Sequence, residues 1–216
     1  MFNSKIKSTL VLLYALSMIN INGCSKTIKP INNHELPENT VLLISIDGFK
    51  WNYIEQASTP NFDKFIHGGV RSEGLIPSFP SKTFPSHITI VTGKHPSGHG
   101  IISNRMFDPI FNEYYYIGEN SKPVLDGKWY EAEPIWVTAE KQGKKAMTMF
   151  WPSSDAEIMG IRPSEYFVYD GSISHNERIS QIIRWIDYPP EKRPHLITLY
   201  FSDVDSKGHR YGPDSE

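Results

Sequence analysis

Residues 41–48, Val-Leu-Leu-Ile-Ser-Ile-Asp-Gly, decide the fold that we predict for this chain of 216 residues. A continuous, mostly apolar run rich in β-branched residues is typical of a strand that is buried on both faces. The run ends on a carboxylate, Asp47. Open α/β sheets hold their ligands beyond the carboxyl ends of the strands, so Asp47 stands where a ligand site is expected.

Two more runs of the same kind predict buried strands at residues 146–150 and 196–201. Helical patterns lie between the three strands, opening at Thr59-Pro60, near Thr83 and at Pro134, and recurring before Pro189. Strands that alternate with helices predict an α/β fold with a largely parallel sheet flanked by helices. The last strand runs into residues 202–209, which we interpret as a loop.

Two of the helices have apolar residues at the spacing of a core-facing stripe. In the helix after Pro60 we expect the inner face to consist of Phe62, Phe65 and Ile66. In the helix before Pro189 we expect it to consist of Ile179, Ile182, Ile183 and Ile186.

The N-terminal segment is typical of an export signal. Lys5 and Lys7 precede a short apolar stretch, and residues 1–23 end immediately before Cys24, the only cysteine of the chain. This arrangement resembles a lipoprotein signal in which Cys24 carries the lipid, and an ordinary signal peptide cleaved nearby is the alternative. Residues 24–39 are polar and indicate a tether. We therefore expect an exported protein of the periplasm or cell surface, whose only membrane contact is the lipid anchor.

Composition excludes some functions. A hydrophobic content of 39% and an aromatic content of 12% are those of a globular protein. The formal net charge of −2 gives no basic footprint for the backbone of duplex nucleic acid, so we expect no such partner.

Residues 80–87, Pro-Ser-Lys-Thr-Phe-Pro-Ser-His, predict a loop that delivers the hydroxyl of Thr83 to the start of a helix. Pro85 suits the first turn, where free backbone N–H groups and the helix dipole favour an anion. A hydroxyl in this position can attack phosphorus if a neighbouring group lowers its pKa. The alternative is that Thr83 only caps the helix.

Carboxylates and a histidine follow two of the predicted strands. Parallel strands would bring Asp47 and Asp205 to one rim, and His209 lies four residues after Asp205. Carboxylate oxygen and imidazole nitrogen are the ligands of catalytic zinc, which acidifies a hydroxyl and clamps phosphoryl oxygens. A solvated Asp–His pair is the alternative. We interpret Asp203 as a solvated acid, and His87 and His99 as structural.

Five ordered motifs resemble the nucleotide pyrophosphatase/phosphodiesterase family of the alkaline phosphatase superfamily. They are Ile46-Asp47-Gly48-Phe49, residues 82–87 with Thr92-Gly93, His99-Gly100-Ile101, residues 205–209, and Tyr211-Gly212-Pro213. The resemblance implies an alkaline phosphatase-like fold and hydrolysis of nucleotides or related phosphodiesters through a covalent phosphothreonine.

The resemblance also implies roles for individual residues. Thr83 would be the nucleophile, and Asn104 would donate to the phosphate oxygens. Two zinc ions are implied, one with Asp47 and Thr83 and the other with Asp205 and His209. Aromatic residues would surround the leaving nucleoside, with a purely structural core role as the alternative for each: Phe84, Tyr169 and Tyr200.

The family completes its zinc sites with a later Asp-His pair and a still later His, so we expect the remaining ligands beyond Glu216. Residues 40–216 would then be the N-terminal portion of the catalytic domain, truncated at its C-terminal end. Two other readings stay open. One is an incomplete or inactive fragment that serves as a binding module, and the other is a phosphomonoesterase of the same superfamily.

Overall fold

The computed structural model describes residues 39–118 and 121–215. The predicted signal sequence, Cys24 and the tether up to residue 38 lie outside this part. Strands are β1 (Val41–Ile46), β2 (Arg105–Asp108), β3 (Glu113–Tyr116), β4 (Ala146–Met149), β5 (Glu165–Phe167) and β6 (Leu196–Phe201). Helices are α1 (Tyr53–Gln56), α2 (Pro60–Gly68), α3 (Thr83–Thr92), α4 (Pro96–His99), α5 (Ile135–Lys141), α6 (His175–Ile186) and α7 (Asp203–Tyr211). Within the described ranges, no helix is both long enough and apolar enough to cross a membrane.

A parallel sheet in the order β1-β6-β4-β5 forms the centre of the fold. The three strands predicted from the sequence are all in it, and the α/β prediction is confirmed. β1 and β6 pair from Val41 with Leu196 to Ile46 with Phe201, so their carboxyl ends are level. β2 and β3 form a separate antiparallel hairpin.

Two apolar clusters pack the sheet against its helices. One contains alternate residues of β4 and β6 together with α6, namely Met147, Met149, Ile197, Leu199, Ile182 and Trp185. The other contains residues of α3, α5 and the β2–β3 hairpin, namely Ile88, Val91, Trp136, Val137 and Tyr115. Side chains alternate between the two faces of a strand. The two clusters therefore lie on opposite faces of β4 and β6.

β1 is not buried on both faces as its sequence predicts. Val41 is 61% exposed and Ile44 is 50% exposed. β1 is an edge strand of the described sheet and pairs only with β6 there, whereas β6 lies between two strands and is buried from Leu196 to Tyr200. An apolar run therefore predicted the strand correctly, but not its position in the sheet.

Of the predicted core stripe of α6, Ile182 is buried as expected, but the other three isoleucines are not. Ile179, Ile183 and Ile186 are 44%, 53% and 40% exposed. Trp185 is fully buried instead, and its indole N–H donates to the Glu165 carboxylate at 2.8 Å. Arg178 is also buried, because its guanidinium donates to the carbonyls of Ile173 and Tyr200, each at 3.0 Å. The hydrogen bonds of Arg178 and Trp185 set the rotation of the helix about its axis. The spacing of apolar residues in the sequence does not reveal such bonds.

The predicted inner face of α2 is also wrong. Phe65 is 80% exposed and Phe62 is 39% exposed. Phe62 contacts the ring of Phe49 at 5.7 Å between centroids, and no residue of α2 is fully buried within the described structure. Thr59 precedes the helix as expected, but its hydroxyl donates to the Ile54 carbonyl rather than capping the helix.

Residues 203–211 form a helix, α7, where the sequence predicted a loop. Gly208 suggested a turn, yet it lies inside the helix, where glycine costs roughly 1 kcal/mol relative to alanine. The helix changes how two of the predicted site residues lie relative to each other. Asp205 and His209 are one helical turn apart and share a face.

Asp155 makes the stability of the fold depend on pH. Burial raises the pKa of this carboxyl from 3.8 to about 6. The folded state then holds a proton that the unfolded chain releases, so stability present below the unfolded pKa is lost as pH rises through the folded pKa. Denaturant unfolding at two pH values should show Asp155→Asn gaining about 1.4 kcal/mol over the natural protein between pH 5 and pH 7.5. A constant difference would contradict this account.

Candidate active site

Asp47 is held rigidly at the carboxyl end of β1. Its N–H donates to the Phe201 carbonyl at 2.9 Å, which extends the β1–β6 pairing by one bond. Its side-chain Oδ2 accepts the Tyr200 hydroxyl at 2.8 Å, and Oδ1 accepts the Gly48 N–H at 3.0 Å. The carboxylate is therefore oriented by both strands.

Gly48 allows α7 to approach Asp47. Its φ is +69°, a left-handed conformation that favours glycine. A Cβ at this position would lie 2.6 Å from the Cα of Asp205 and 2.8 Å from its backbone nitrogen. Only the missing side chain permits this contact, which carries Asp205 to the end of β1.

The two carboxylates repel each other at this edge. Burial, followed by the negative charge of Asp47, raises the pKa of the Asp205 carboxyl, and the charges of His209 and His87 act in the opposite direction. Burial and the charge of Asp47 also raise the pKa of the Tyr200 hydroxyl, which keeps it a proton donor to Asp47.

His209 and Asp203 differ from each other in their surroundings. His209 Nε2 lies 3.5 Å from Asp205 Oδ1, and the His209 side chain is 81% exposed. Asp203 was interpreted as a solvated acid; its side chain is 55% exposed, and its carboxylate pairs with the imidazole of His175. His175 in turn lies edge-on to Phe201, so Asp203 connects α7 to the start of α6.

Thr83 is the first residue of α3, and Lys82 occupies the N-cap position. The alternative that Thr83 serves as the cap is therefore wrong. The Thr83 carbonyl lies 2.7 Å from Nδ1 of His87, and Nε2 of the same ring lies 2.7 Å from the Ser45 hydroxyl. His87 is buried, which lowers its pKa and favours the neutral ring. It is structural, as predicted, and it ties the start of α3 to β1 two residues before Asp47.

Asn104 lies against the first turn of α3. Its Oδ1 accepts the N–H of Phe84 at 3.1 Å, which leaves the amide nitrogen as the donor available to a ligand. Fewer backbone N–H groups are free in this turn than the sequence predicted. The N–H of Phe84 donates to Asn104, and Pro85 has no N–H group. Phe84 packs against the core and lies edge-on to Tyr115 at 6.1 Å. His99, fully buried, contacts the Thr89 hydroxyl at 3.1 Å and is structural as predicted.

The two predicted tyrosines lie beside each other with ring centroids 6.3 Å apart. Tyr169 is 48% exposed, lies edge-on to Phe150, and its hydroxyl is 3.1 Å from that of Ser202. Tyr200 is only 6% exposed and uses its hydroxyl on Asp47. Tyr169 thus presents a ring to solvent, whereas Tyr200 supports a carboxylate, a contact that sequence reasoning missed.

Zinc fits the donor types present but not yet their number. Asp47, Asp205 and His209 offer carboxylate oxygen and imidazole nitrogen, which suit zinc, and the negative charge of Asp47 raises the pKa of the Asp205 carboxyl, as burial does. In the described part of the chain, however, no three His, Cys, Asp or Glu side chains converge on one point. A complete metal centre would need ligands from outside the described residues.

Known proteins resemble this chain along most of its length. The family model described as type I phosphodiesterase / nucleotide pyrophosphatase matches residues 41–216. Human ectonucleotide pyrophosphatase/phosphodiesterase family member 1 is 45% identical over 176 residues, covering 81% of this chain and 19% of the human protein. The chain therefore spans about a fifth of that relative's length.

Solved structures give the same result. Murine ectonucleotide pyrophosphatase / phosphodiesterase 5 superposes with a TM-score of 0.77 at 36% identity, covering 82% of this chain and 47% of the murine one. A structure of the inactive form of that murine protein, in complex with AMP, also gives a TM-score of 0.77, at 35% identity, covering 82% and 46%.

Proposed function

The chain belongs to the type I phosphodiesterase/nucleotide pyrophosphatase family, with its alkaline phosphatase-like fold, and we propose that it hydrolyses phosphodiester or pyrophosphate bonds of nucleotides. Relatives of the chain are named for this reaction, which supports it. The AMP complex of the murine relative supports a small nucleotide as the substrate.

One observation carries the proposal. A hydroxyl-bearing residue, Thr83, begins a helix that His87 and Ser45 tie to the strand ending in Asp47. Asp205 is brought to the same edge by the contact of Gly48 with α7. A nucleophile and an acidic cation site at one sheet edge are the parts that phosphoryl transfer by covalent catalysis requires.

The proposed reaction has two displacements. Thr83 Oγ1 attacks phosphorus, the new O–P bond forms, and the bond to the leaving oxygen breaks; the leaving oxygen takes the electron pair of that bond and, overall, the proton that the hydroxyl loses. Water then attacks the phosphothreonine, the P–Oγ1 bond breaks, and a proton from the water restores the Thr83 hydroxyl. The amide of Asn104 would donate to the phosphate oxygens, and the rings of Phe84, Tyr169 and Tyr200 would flank the nucleoside.

We propose that Asp47 and Thr83 hold one zinc ion and that Asp205 and His209 hold another, with the remaining ligands outside the described residues. Zinc bound there supplies Lewis acidity, which lowers the pKa of hydroxyl groups and neutralises phosphoryl charge. Tyr200 and Gly48 orient Asp47 for this purpose through their hydrogen bonds to its two oxygens.

Chelation tests the proposal directly. The protein, purified at its natural length, should hydrolyse the nitrophenyl ester of thymidine 5′-monophosphate. Removal of zinc by a chelator should abolish turnover, and added zinc should restore it. The same assay with nitrophenyl phosphate separates the alternatives. Preference for this monoester would indicate a phosphomonoesterase, and cleavage of neither compound would indicate a binding module.

We also propose that the protein is exported and anchored through lipid on Cys24, since a basic and apolar segment ends at this residue. Lipid labelling and cell fractionation should place the natural protein with membranes and should place a Cys24→Ser variant in the soluble exported fraction. Soluble, unlabelled natural protein would contradict the anchor while leaving export intact.

A further inference from the structure

α7 carries two of the proposed zinc ligands, Asp205 and His209, yet it contributes no fully buried side chain to the described structure. Burial in a core therefore does not fix its position. The side chain of its N-cap residue, Ser202, does not cap the helix, and the Ser202 hydroxyl lies 3.1 Å from that of Tyr169 instead. The position of α7 therefore depends on the polar contacts that it makes with other elements.

The first turn of α7 is held by α6. His175 is the first residue of α6, and its imidazole Nε2 pairs with the carboxylate Oδ2 of Asp203, the first residue of α7. The His175 ring also lies edge-on to Phe201, the last residue of β6, with 5.0 Å between ring centroids. No other ion pair of the described residues joins α7 to a different element. The pair is therefore the charged link between the two helices.

The start of α6 is itself held in place, so His175 can act as a fixed point. α6 begins with a capping box, in which the Ser174 hydroxyl accepts the N–H of Glu177 at 3.3 Å and the Glu177 carboxylate accepts the N–H of Ser174 at 2.9 Å. In the same turn, the buried guanidinium of Arg178 donates to the Tyr200 carbonyl of β6 at 3.0 Å. The start of α6 is thus tied to the strand that leads into α7.

Asp203 and Asp205 lie on opposite sides of α7, because two residues along an α-helix are about 200° apart around its axis. The backbone of Asp205 packs on Gly48 at the end of β1, and the side chain of Asp203 contacts His175. Contacts on both sides of one turn fix the rotation of the helix. This rotation decides whether Asp205 faces Asp47.

We propose that His175 is a positioning residue for the zinc site of Asp205 and His209, an inference that rests on the proposed function. By holding Asp203, His175 fixes the rotation of α7 and keeps Asp205 beside Asp47. Both partners of the pair are about half exposed, and exposed ion pairs add little to the free energy of unfolding. Its main effect is then on the metal ligands, and loss of a group that orients such ligands lowers metal affinity by about 10- to 100-fold.

The test measures zinc affinity at each of the two proposed sites by calorimetry on the protein of natural length. His175→Phe keeps an aromatic ring against Phe201 but loses the contact with Asp203. It should weaken zinc binding at one site by about 20-fold and change the other by less than about threefold. His175→Gln places an amide N–H near the position of Nε2 and should retain zinc affinity to within about threefold.

The matched control is Lys141→Gln. It removes an exposed ion pair of the same kind, formed with Glu133 at 2.6 Å, at the end of α5. Both zinc affinities should stay unchanged. Denaturant midpoints of the control and of His175→Phe should be similar, since each variant loses one exposed pair.

A double-mutant cycle identifies the partner of His175. Asp203→Ala should weaken the same zinc site about as much as His175→Phe, and the double variant should be no weaker than either, because both changes remove one contact. The affected site should be the one that His209→Ala removes. Losses that multiply in the double variant would mean that His175 does not act through Asp203, and they would overturn the positioning role.

Two further readouts separate positioning from catalysis and from a general structural role. At limiting zinc, His175→Phe should lower kcat/KM for the nitrophenyl thymidine ester about 20-fold, and saturating zinc should restore it to within about threefold. A loss that persists at saturating zinc would contradict the proposal. In the metal-free protein, amide hydrogen exchange of this variant should quicken about tenfold within residues 203–211 and stay unchanged in the other helices. Faster exchange throughout the protein would assign His175 a general structural role instead.

The outcomes distinguish this inference from the proposed function. Natural protein that binds zinc in a His175-dependent way but cleaves no ester would overturn the proposed hydrolysis and still support the positioning role. Zinc affinities of His175→Phe equal to those of the natural protein would overturn the positioning role, as would a natural protein that binds no zinc.

Discussion

Thr83→Ala is expected to lower kcat for the nitrophenyl thymidine ester by about four orders of magnitude or more, because no hydroxyl remains to form the covalent intermediate. The fold should survive the change. The contact that fixes Thr83 uses its backbone carbonyl on His87, and its side chain does not cap the helix. Zinc binding should persist although the hydroxyl ligand of one ion is lost, since the carboxylate and imidazole ligands Asp47, Asp205 and His209 are unchanged.

The control for this variant is Thr83→Ser, which keeps the hydroxyl and should retain appreciable activity. Unfolding by denaturant should give similar midpoints for both variants, and metal analysis should give similar zinc content. A fully active Thr83→Ala protein would mean that water attacks phosphorus directly, and the two-step mechanism would be wrong.

Gly48→Ala should disrupt the site from a position that touches no substrate. The added Cβ would lie 2.6 Å from the Asp205 backbone, and φ at this position is +69°. Left-handed strain and overpacking together should destabilise the protein by about 3 kcal/mol. Because α7 must move away, Asp205 separates from Asp47, and we expect at least a hundredfold loss of kcat/KM together with weaker zinc binding.

Gly93→Ala is the matched control for backbone strain. Its φ is +64°, yet nothing lies within 4 Å of the position that a Cβ would take. This variant should lose about 1 kcal/mol and keep its activity and zinc affinity. Equal stability of the two variants, with activity retained in Gly48→Ala, would show that the approach of α7 to Gly48 is not needed for the site.

Strand ends were the most predictable part of the molecule. Apolar runs bounded by turn residues identified β1, β4 and β6, and because parallel strands end at one edge, the meeting of Asp47 with Asp205 followed from their order. The surroundings of the elements were less predictable. The sequence of β1 is typical of a central strand, although β1 is an edge strand of the described sheet. The rotation of α6 depends on hydrogen bonds of Arg178 and Trp185, which the spacing of apolar residues does not predict.

The residues that position the site could not be predicted either, because their roles depend on contacts between elements that are distant in sequence. Tyr200 was expected beside a nucleoside, and only the register of β1 with β6 reveals that its hydroxyl reaches Asp47. Gly48 was noted as the end of a strand, but its contact with α7 depends on a helix that the sequence suggested was a loop. Lys82 and Arg105 flank the predicted catalytic residues in sequence. They line one cleft between the start of α3 and the β2–β3 hairpin, and this hairpin had no clear periodic signal.

The pairing of β1 with β6 also determines when the site can assemble. Asp47 and the tyrosine that orients it are 153 residues apart in the chain, and β6 is the only partner of β1 within the described sheet. A ribosome adding about 5–20 residues per second needs roughly 8–30 s to make the second strand after the first. Until then β1 is an unpaired, apolar segment that can associate with other chains. The order of synthesis thus makes closure of the β1–β6 pair a late folding step, and it makes protection of residues 41–46 from association a requirement for producing this protein.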